Sequence, residues 1–249
     1  MKKLFDRNPL LFITGDKYKV KEFFRKEFGD EKAEKFLIPT LYAGDDPVKI
    51  PFDQFPEEYI IKGCHLSGNN LMITKDVKIT KAQILHHCRF LLKKDISNPS
   101  HAWFYSKIPK RIIIEPLLRD KIGKIPQDYK FFCFNGRVRM FQVDFDRFGW
   151  MRRSLFDQKG KFIEGDIKYP YGNKYHGIKN LRRIIEFVES LCFNLDFVRV
   201  DIYIVDNRPI FGELTHYPGA GHSKISPFEL DLKLGNYWQL GNYFNGRNF

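Results

Sequence analysis

The sequence predicts an α+β fold with largely antiparallel sheets. Two observations predict it. Strand-like runs outnumber helical ones along the chain, and neighbouring strands meet across very short turns. Asn135-Gly136 and Asp206-Asn207 are the clearest of these turns, because Asn, Asp and Gly tolerate the left-handed backbone that a two-residue hairpin requires. No internal repeat and no low-complexity segment interrupts the pattern.

The elements follow in order. Thr14-Gly-Asp16 precedes a helix over 17–28, where Val20, Phe23, Phe24 and Phe28 recur at helical spacing and Gly29 stands at the C-cap. Residues 37–42 read as a short strand, and Pro47, Pro51 and Pro56 punctuate a linker. A strand over 59–62 leads into a polar, Gly-containing turn at 63–70 and a second strand over 71–74. Thr80 can cap a helix running to Lys93, with Ile84, Leu85, Cys88, Leu91 and Leu92 on one face. Residues 112–118 read as a buried strand. Strands over 129–134 and 138–144 join across Asn135-Gly136. An amphipathic helix over 181–192 precedes the hairpin 197–205/209–214.

Composition bounds the function. The chain has 249 residues, enough for one large domain or two small lobes with a real core. Hydrophobic content of 43% with 29% charged residues is that of a soluble globular protein, and 25 Phe with 12 Tyr predict an aromatic core or stacking surfaces. The 4 Cys show no CxxC spacing, which predicts reduced, mostly buried thiols and a cytoplasmic location. Nothing after Met1-Lys-Lys resembles the apolar core of a signal peptide. No run approaches the roughly 18–20 apolar residues of a membrane span, so insertion is not expected and peripheral association stays open. A net charge of +12 favours polyanionic partners such as phosphorylated substrates, nucleic acid or an anionic surface. Recognisable nucleic-acid motifs are missing, so no specific nucleic-acid partner is expected.

Chemistry concentrates on the last hairpin. Side chains alternate along a strand, so Arg199, Asp201 and Tyr203 share one face of the first strand, and Glu213 and Thr215 share one face of the second. Oxygen ligands gathered this way suit Mg²⁺, which one or two carboxylates hold together with substrate phosphates. Arg199 beside them suits an anion or a developing negative charge. The alternative is a hairpin with a solvated charged face. Lys62 ends a strand just before Gly63-Cys-His-Leu-Ser-Gly68, where an ammonium and close backbone N–H groups can meet a phosphate; the alternative is an ordinary surface lysine. His65 is either a hydrogen-bonded structural residue or, protonated, a phosphate contact. Glu115 interrupts an apolar run and must be paired or at an edge. Gln142, Asp144 and Asp146 alternate on one strand face, with Arg147, Arg152 and Arg153 following in a loop, which reads as a solvated face or as the wall of an acceptor pocket.

Arg-x-Asp, then Glu-x-Thr, then Pro-Gly is similar to the metal-binding end of ATP-grasp ligases. The chain most resembles the TupA-like ATP-grasp proteins, associated with bacterial surface-polysaccharide biosynthesis, and more distantly D-alanine–D-alanine ligases. The resemblance runs from Asp6-Arg-Asn-Pro9 to about Leu240. It rests on the order of Asp16-Lys17, Lys62-x-x-His65-x-Ser67-Gly68, Asp128-Tyr-Lys-Phe-Phe-Cys-Phe-Asn-Gly136 and Gly212-Glu-Leu-Thr-x-Tyr-Pro-Gly219. The family commonly has Cys-Asn before that histidine, where this chain has Gly63-Cys64. Thr215 stands where the wider superfamily has Asn, and TupA-like members share the threonine.

The resemblance implies an ATP-grasp fold of two α+β lobes sandwiching the nucleotide. The small lobe would run over 59–118 and the metal-bearing large lobe over 119–249, after a shortened pre-grasp segment at 1–58. It implies ATP and Mg²⁺. ATP would be bound by Lys17, Lys62, His65, Ser67 and Gly68 at the phosphates, by Glu115 with a backbone N–H of Leu117 or Leu118 at adenine, by Asp128 at the ribose, and by Lys130. Asp201, Glu213 and Thr215 would hold metal, and Arg199 would be catalytic. The implied activity is ATP-dependent ligation of a carboxylate, such as a carboxyl-bearing sugar, to an amine or hydroxyl through an acyl phosphate. A phosphotransferase on the same scaffold, or a nucleotide- or polyanion-binding module without turnover, are the alternatives.

Overall fold

The computed structural model describes residues 2–97, 102–145, 150–172 and 177–239. These form two compact units, Asn8–Arg119 and a second made of Met1–Arg7 with Asp120–Phe249.

In the first unit, helices α1 (Leu10–Thr14), α2 (Lys19–Phe28) and α3 (Asp30–Phe36) precede strand β1 (Tyr42–Gly44). Strands β2 (Tyr59–Gly63) and β3 (Leu71–Ile73), helix α4 (Lys81–Lys93) and strand β4 (Ile112–Pro116) follow. The sheet order is β1-β4-β2-β3, and every neighbouring pair is antiparallel. Asp16 sets the start of α2, since its Oδ1 accepts from the N–H groups of Tyr18 and Lys19 at 2.8 and 3.2 Å. Thr80 and Gln83 close a reciprocal capping box at the head of α4. That helix lays Ile84, Cys88 and Leu91 against Ile61, Leu66, Ile112 and Ile114 to make the unit's core. The strand expected over 37–42 begins only at Tyr42. Pro39 has no N–H for a ladder, and the Ile38 carbonyl instead accepts from Lys21 Nζ at 2.8 Å. Likewise β4 stops at Pro116, and the Leu117 N–H donates to the Glu58 carbonyl at 3.1 Å.

The second unit contains β5 (Asp128–Phe134), β6 (Arg137–Phe145), β7 (Arg152–Asp157), β8 (Phe162–Ile163), β9 (Asp166–Ile167), α5 (Leu181–Ser190), β10 (Phe197–Val205), β11 (Arg208–Thr215), β12 (Ile225–Ser226) and α6 (Phe228–Asn236). Six strands form one antiparallel sheet in the order β11-β10-β5-β6-β7-β8, and β12 pairs with β9. Both hairpin turns place two consecutive residues at positive φ: 49° and 78° at Asn135-Gly136, 52° and 64° at Asp206-Asn207. That is the type I′ geometry, whose twist matches the flanking strands. Helix α5 packs on β6 and β11. Helix α6 brings Leu230 and Leu234 onto Phe132, Phe134, Met140, Leu155 and Phe197. Arg152 and Arg153 open β7, where the sequence suggested a loop. Pairing with Phe145 and Asp144 draws them into the ladder.

All 4 cysteines are free and buried. Burial pushes the Cys64 thiol up to about 12 and the Cys88 thiol up to about 11. No helix among the described residues is long and apolar enough to cross a membrane.

Candidate active site

Strand register gathers several charged side chains of the second unit on one sheet face. Arg199 lies opposite Thr215, and Asp201 opposite Glu213 across the β10–β11 ladder. On the other flank Asp201 faces Lys130, and Tyr203 faces Asp128, across β10–β5. The β5–β6 ladder adds Gln142 beside Lys130 and Asp144 beside Asp128, and β7 adds Arg153 beside Asp144. The register of β11 shifts between Asp201 and Ile202, leaving Gly212 as the extra residue of a bulge. A Cβ at Gly212 would sit 2.9 Å from the Asp201 carbonyl oxygen, so glycine lets the strands stay close beside the carboxylates.

These groups neutralise one another. Arg199 donates from Nε to Asp201 Oδ1 and from Nη2 to Asp201 Oδ2, both at 2.6 Å, and from Nη2 to Thr215 Oγ1 at 3.0 Å. Glu213 Oε1 lies 3.8 Å from Arg199 Nη2 and accepts from Thr215 Oγ1 at 3.3 Å. Lys130 Nζ is 2.5 Å from Asp128 Oδ2 and 3.6 Å from both Asp144 Oδ2 and Asp201 Oδ2. Arg153 holds Asp144 with two guanidinium nitrogens, at 2.6 and 3.1 Å. Burial pushes the Asp201 carboxyl up, against the pull of Arg199 and Lys130. Burial also weighs on Lys130, but Asp201 and Asp128 outweigh it and raise its pKa. The face carries Asp128, Asp144, Asp201 and Glu213 against Lys130, Arg153 and Arg199, one negative charge in excess. Asp146 and Arg147, expected on this face and just after it, lie outside the described residues.

The donor set fits a hard divalent cation. Asp201 and Glu213 are directly opposed across the ladder, and oxygen donors are what Mg²⁺ requires. Among the described residues no group of three His, Cys, Asp or Glu side chains stands ready to ligate a metal. Two carboxylates and the Thr215 hydroxyl would therefore leave coordination positions for phosphate and water, the usual Mg²⁺ arrangement. A metal on Asp201 would share its oxygens with the Arg199 guanidinium or displace it.

In the first unit Glu115 is buried on β4 and paired, as its position in an apolar run demanded. Lys62, diagonally across the β2–β4 ladder, reaches Glu115 Oε2 at 2.6 Å. Lys21 from α2 binds the other oxygen, Oε1, and also the Ile38 carbonyl at 2.8 Å and Thr40 Oγ1 at 3.1 Å. Burial alone would raise the Glu115 carboxyl, but Lys62 and Lys21 together hold it below the usual range. Burial lowers the Lys21 ammonium despite Glu115. Sequence reasoning missed Lys21. The available signal was a lysine between Val20 and Phe24 on the apolar side of an amphipathic helix.

The loop after β2 is shaped by its own side chains. Leu66 folds back over Gly63, where a Cβ would come within 2.7 Å of Leu66 Cδ1, which accounts for glycine at that position. Lys17 Nζ donates to the Leu66 carbonyl at 2.6 Å, and Asp16 Oδ2 accepts from Arg111 Nη2 at 2.7 Å. His65 is buried, with Nε2 3.1 Å from the Lys94 carbonyl. Burial lowers its pKa, so the fold favours the uncharged ring. Ser67 and Gly68 are exposed, and Gly68 and Asn69 turn at φ 79° and 57°. At the end of β4 the Leu117 N–H is committed to Glu58, which narrows the expected adenine donor to Leu118.

The sequence profile of the TupA-like ATP-grasp family matches residues 1–239. No curated protein sequence matches the chain. Among solved structures, D-alanine–D-alanine ligase from Bacillus anthracis complexed with ATP superposes with a TM-score of 0.52 at 13% identity, covering 91% of this chain and 65% of the ligase. The corresponding ligase from Coxiella burnetii gives 0.49 at 10% identity, covering 88% and 52%. Phosphoribosylamine–glycine ligase from Thermotoga maritima gives 0.49 at 14%, covering 83% and 48%. The chain thus spans just under two thirds of the length of the Bacillus anthracis ligase, and at such identity the likeness is one of fold: an α+β ATP-grasp architecture with largely antiparallel sheets. With nearly its whole length matched by the family profile, the chain belongs to the TupA-like ATP-grasp family.

Proposed function

We propose that the protein is an ATP-dependent carboxylate–amine ligase of the cytoplasm. It would act on a carboxyl-bearing sugar or another carboxylate in the biosynthesis or modification of a surface polysaccharide. The observation that carries the reading is the set Arg199, Asp201, Glu213 and Thr215 on adjacent strands, with Lys130 and Asp128 beside them. A binding module has no need for a guanidinium chelating a buried carboxylate next to a second carboxylate.

Lys62, with Lys17, would hold ATP phosphates, Leu118 would meet adenine, and Asp128 would meet ribose hydroxyls. Asp201 and Glu213, with Thr215 directly or through water, would hold Mg²⁺, which supplies charge neutralisation for in-line phosphoryl transfer. The substrate carboxylate attacks the γ-phosphorus and ADP leaves, giving an acyl phosphate. The amine then attacks the acyl carbon, phosphate departs, and the amine proton is lost to solvent or to a nearby carboxylate. Arg199 would stabilise negative charge on the acyl-phosphate and tetrahedral oxygens. No side-chain nucleophile is needed.

The test is ADP and phosphate release with Mg²⁺ across a panel of carboxylates, uronic acids included, with and without amines. ADP release that needs both substrates and disappears in Asp201→Asn is the expected result. ADP release with a hydroxyl compound alone would turn the reading into a phosphotransferase, and failure to bind ATP by calorimetry would end the ATP-dependent reading altogether.

A further inference from the structure

Gln142, Asp144 and Arg153 stand on the β6 and β7 side of the charged face, apart from Asp201 and Glu213 on β10 and β11. They line a cavity of about 860 Å³ within this unit, together with Asp128, Lys130, Arg199 and the loop at Tyr217–Gly219. A wall that grips a substrate anion presents a free donor group. Arg153 is instead spent on the protein itself. Its Nε and Nη2 donate to Asp144 at 2.6 and 3.1 Å, and its Nη1 donates to the Ile167 carbonyl at 2.8 Å. The same guanidinium lies 4.9 Å from the centre of the Tyr169 ring. Gln142 Nε2 adds a third contact to Asp144, on Oδ1 at 3.2 Å. A buried carboxylate gripped by a planar two-pronged donor is fixed in rotation as well as in place. Held so, Asp144 turns Oδ2 toward Lys130, 3.6 Å from Nζ.

Lys130 sits between two flanks. On β10 its direct cross-strand neighbour is Asp201, in one row with Glu213, and Asp201 Oδ2 lies 3.6 Å from Nζ. On β6 the direct neighbour is the uncharged Gln142, and Asp144 stands one row along, opposite Asp128. The nearest oxygen to the ammonium is Asp128 Oδ2, at 2.5 Å. Opposite charges placed directly across a ladder attract one another, and burial leaves that attraction little screened. The two carboxylates of the Asp128–Asp144 row are what oppose it. An ammonium closed onto Asp201 would add positive charge where a metal ion is to bind and would take up an oxygen it needs. Asp128 is proposed to meet ribose hydroxyls, which would engage its oxygens when nucleotide binds. Asp144 has no such task and stays with Lys130 throughout.

We propose that Asp144, held by Arg153 and Gln142, is a positioning residue for the metal site: it keeps the Lys130 ammonium from closing on Asp201 and so leaves Asp201 to Mg²⁺. This rests on the proposed role of Asp201 as a metal ligand. It gives the Arg153 side of the face an electrostatic task in place of acceptor binding.

The test is Mn²⁺ binding to the full chain, read from the loss of the free-ion electron paramagnetic resonance signal. Carboxylate oxygens suit Mn²⁺ as they suit Mg²⁺. Asp144→Asn combined with Arg153→Gln removes both charges of a buried pair, so net charge is unchanged and neither partner is left buried alone. This double variant should keep the native circular dichroism and bind Mn²⁺ about tenfold more weakly than the native chain. In a Lys130→Met background the same two substitutions should change Mn²⁺ affinity by less than about twofold, because the effect runs through Lys130. Equal losses in the two backgrounds, or no loss in either, would overturn the proposal. Should the double variant unfold, Asp144→Asn alone, compared in the same two backgrounds, gives the same readings. Asp201→Asn is the separate control. If it binds Mn²⁺ like the native chain, the metal-ligand reading falls and takes this proposal with it. If it loses Mn²⁺ while the Asp144 variants bind normally, only the role of Asp144 falls.

Discussion

Arg199 and Asp201 stand two residues apart on one strand and close a bidentate ion pair, with both N–O distances at 2.6 Å. The pair occupies both Asp201 oxygens, the same atoms a divalent cation would take. With Asp201 proposed as a metal ligand, guanidinium and metal would compete for one buried carboxylate. Arg199→Met leaves Asp201 buried beside Glu213 with Lys130 as its remaining cation. Removing one partner of a buried pair costs about 3–5 kcal/mol. Mg²⁺ should then restore thermal stability to the variant by much more than it stabilises the native chain. Equal Mg²⁺ shifts in the two proteins would mean that Asp201 is not a metal ligand.

Lys21 and Lys62 share Glu115 but differ in what else holds them. Lys21 Nζ also contacts Ile38 O and Thr40 Oγ1, whereas Lys62 is the strand-end lysine beside the loop. Both Lys21→Met and Lys62→Met should destabilise the protein, because each leaves buried Glu115 with one lysine, and an uncompensated buried charge costs about 3–5 kcal/mol at most. ATP affinity separates them. Lys62→Met should weaken binding by about tenfold or more, the loss of one charge-assisted contact, while Lys21→Met retains affinity under conditions where it is folded. If Lys62→Met binds ATP like the native protein, Lys62 is structural.

Much of this face was legible in the sequence, for a definite reason. Turn dipeptides fix the hairpins, and a side-chain period of two then fixes that Arg199 and Asp201 share a face, as do Glu213 and Thr215. Periodicity does not say which distant strand lies alongside. The pairing of β10 with β5 that sets Asp201 against Lys130 is non-local and leaves no mark on either segment alone. Lys21 escaped because a helical pattern read as apolar hides a cation on its buried side. The late start of β1 escaped because it depends on Lys21 capturing the Ile38 carbonyl, a tertiary contact.

Gly219 lines the cavity on a loop whose backbone turns left-handed at three consecutive residues, with φ of 56°, 54° and 73° at Gly219, Ala220 and Gly221. A Cβ on Gly219 would lie 2.0 Å from Ser223 Oγ. Gly219→Ala therefore needs both a strained backbone and a displaced serine, and overpacking of this kind costs about 1–3 kcal/mol. The expected outcome is a modest loss of stability in urea with a larger rise in KM for the carboxylate or amine, since the loop borders the cavity. A variant that keeps native KM values places the loop outside substrate contact.

His65 gives the site a pH signature in stability. It is buried, its Nε2 faces the Lys94 carbonyl, and Lys110 and Lys17 add positive charge that disfavours protonation further. Its folded pKa lies below the unfolded value of about 6.5, so the fold favours the neutral ring. The stabilisation is complete above about pH 6.5 and is lost as pH falls toward the folded pKa, because the unfolded chain then binds the proton first. The slope is at most about 1.4 kcal/mol per pH unit for one group. Urea unfolding at pH 7.5, 6.5 and 5.5 should show declining stability in the native chain and a shallower decline in His65→Gln, whose amide can keep the bond to the Lys94 carbonyl. The window stops near pH 5 because below it carboxylates of the unfolded chain begin to take protons while Glu115, held low by Lys62 and Lys21 in the fold, does not, which adds a decline of its own. Parallel slopes for native and variant would show that His65 titrates as if exposed, and the loop anchor would have to be sought elsewhere.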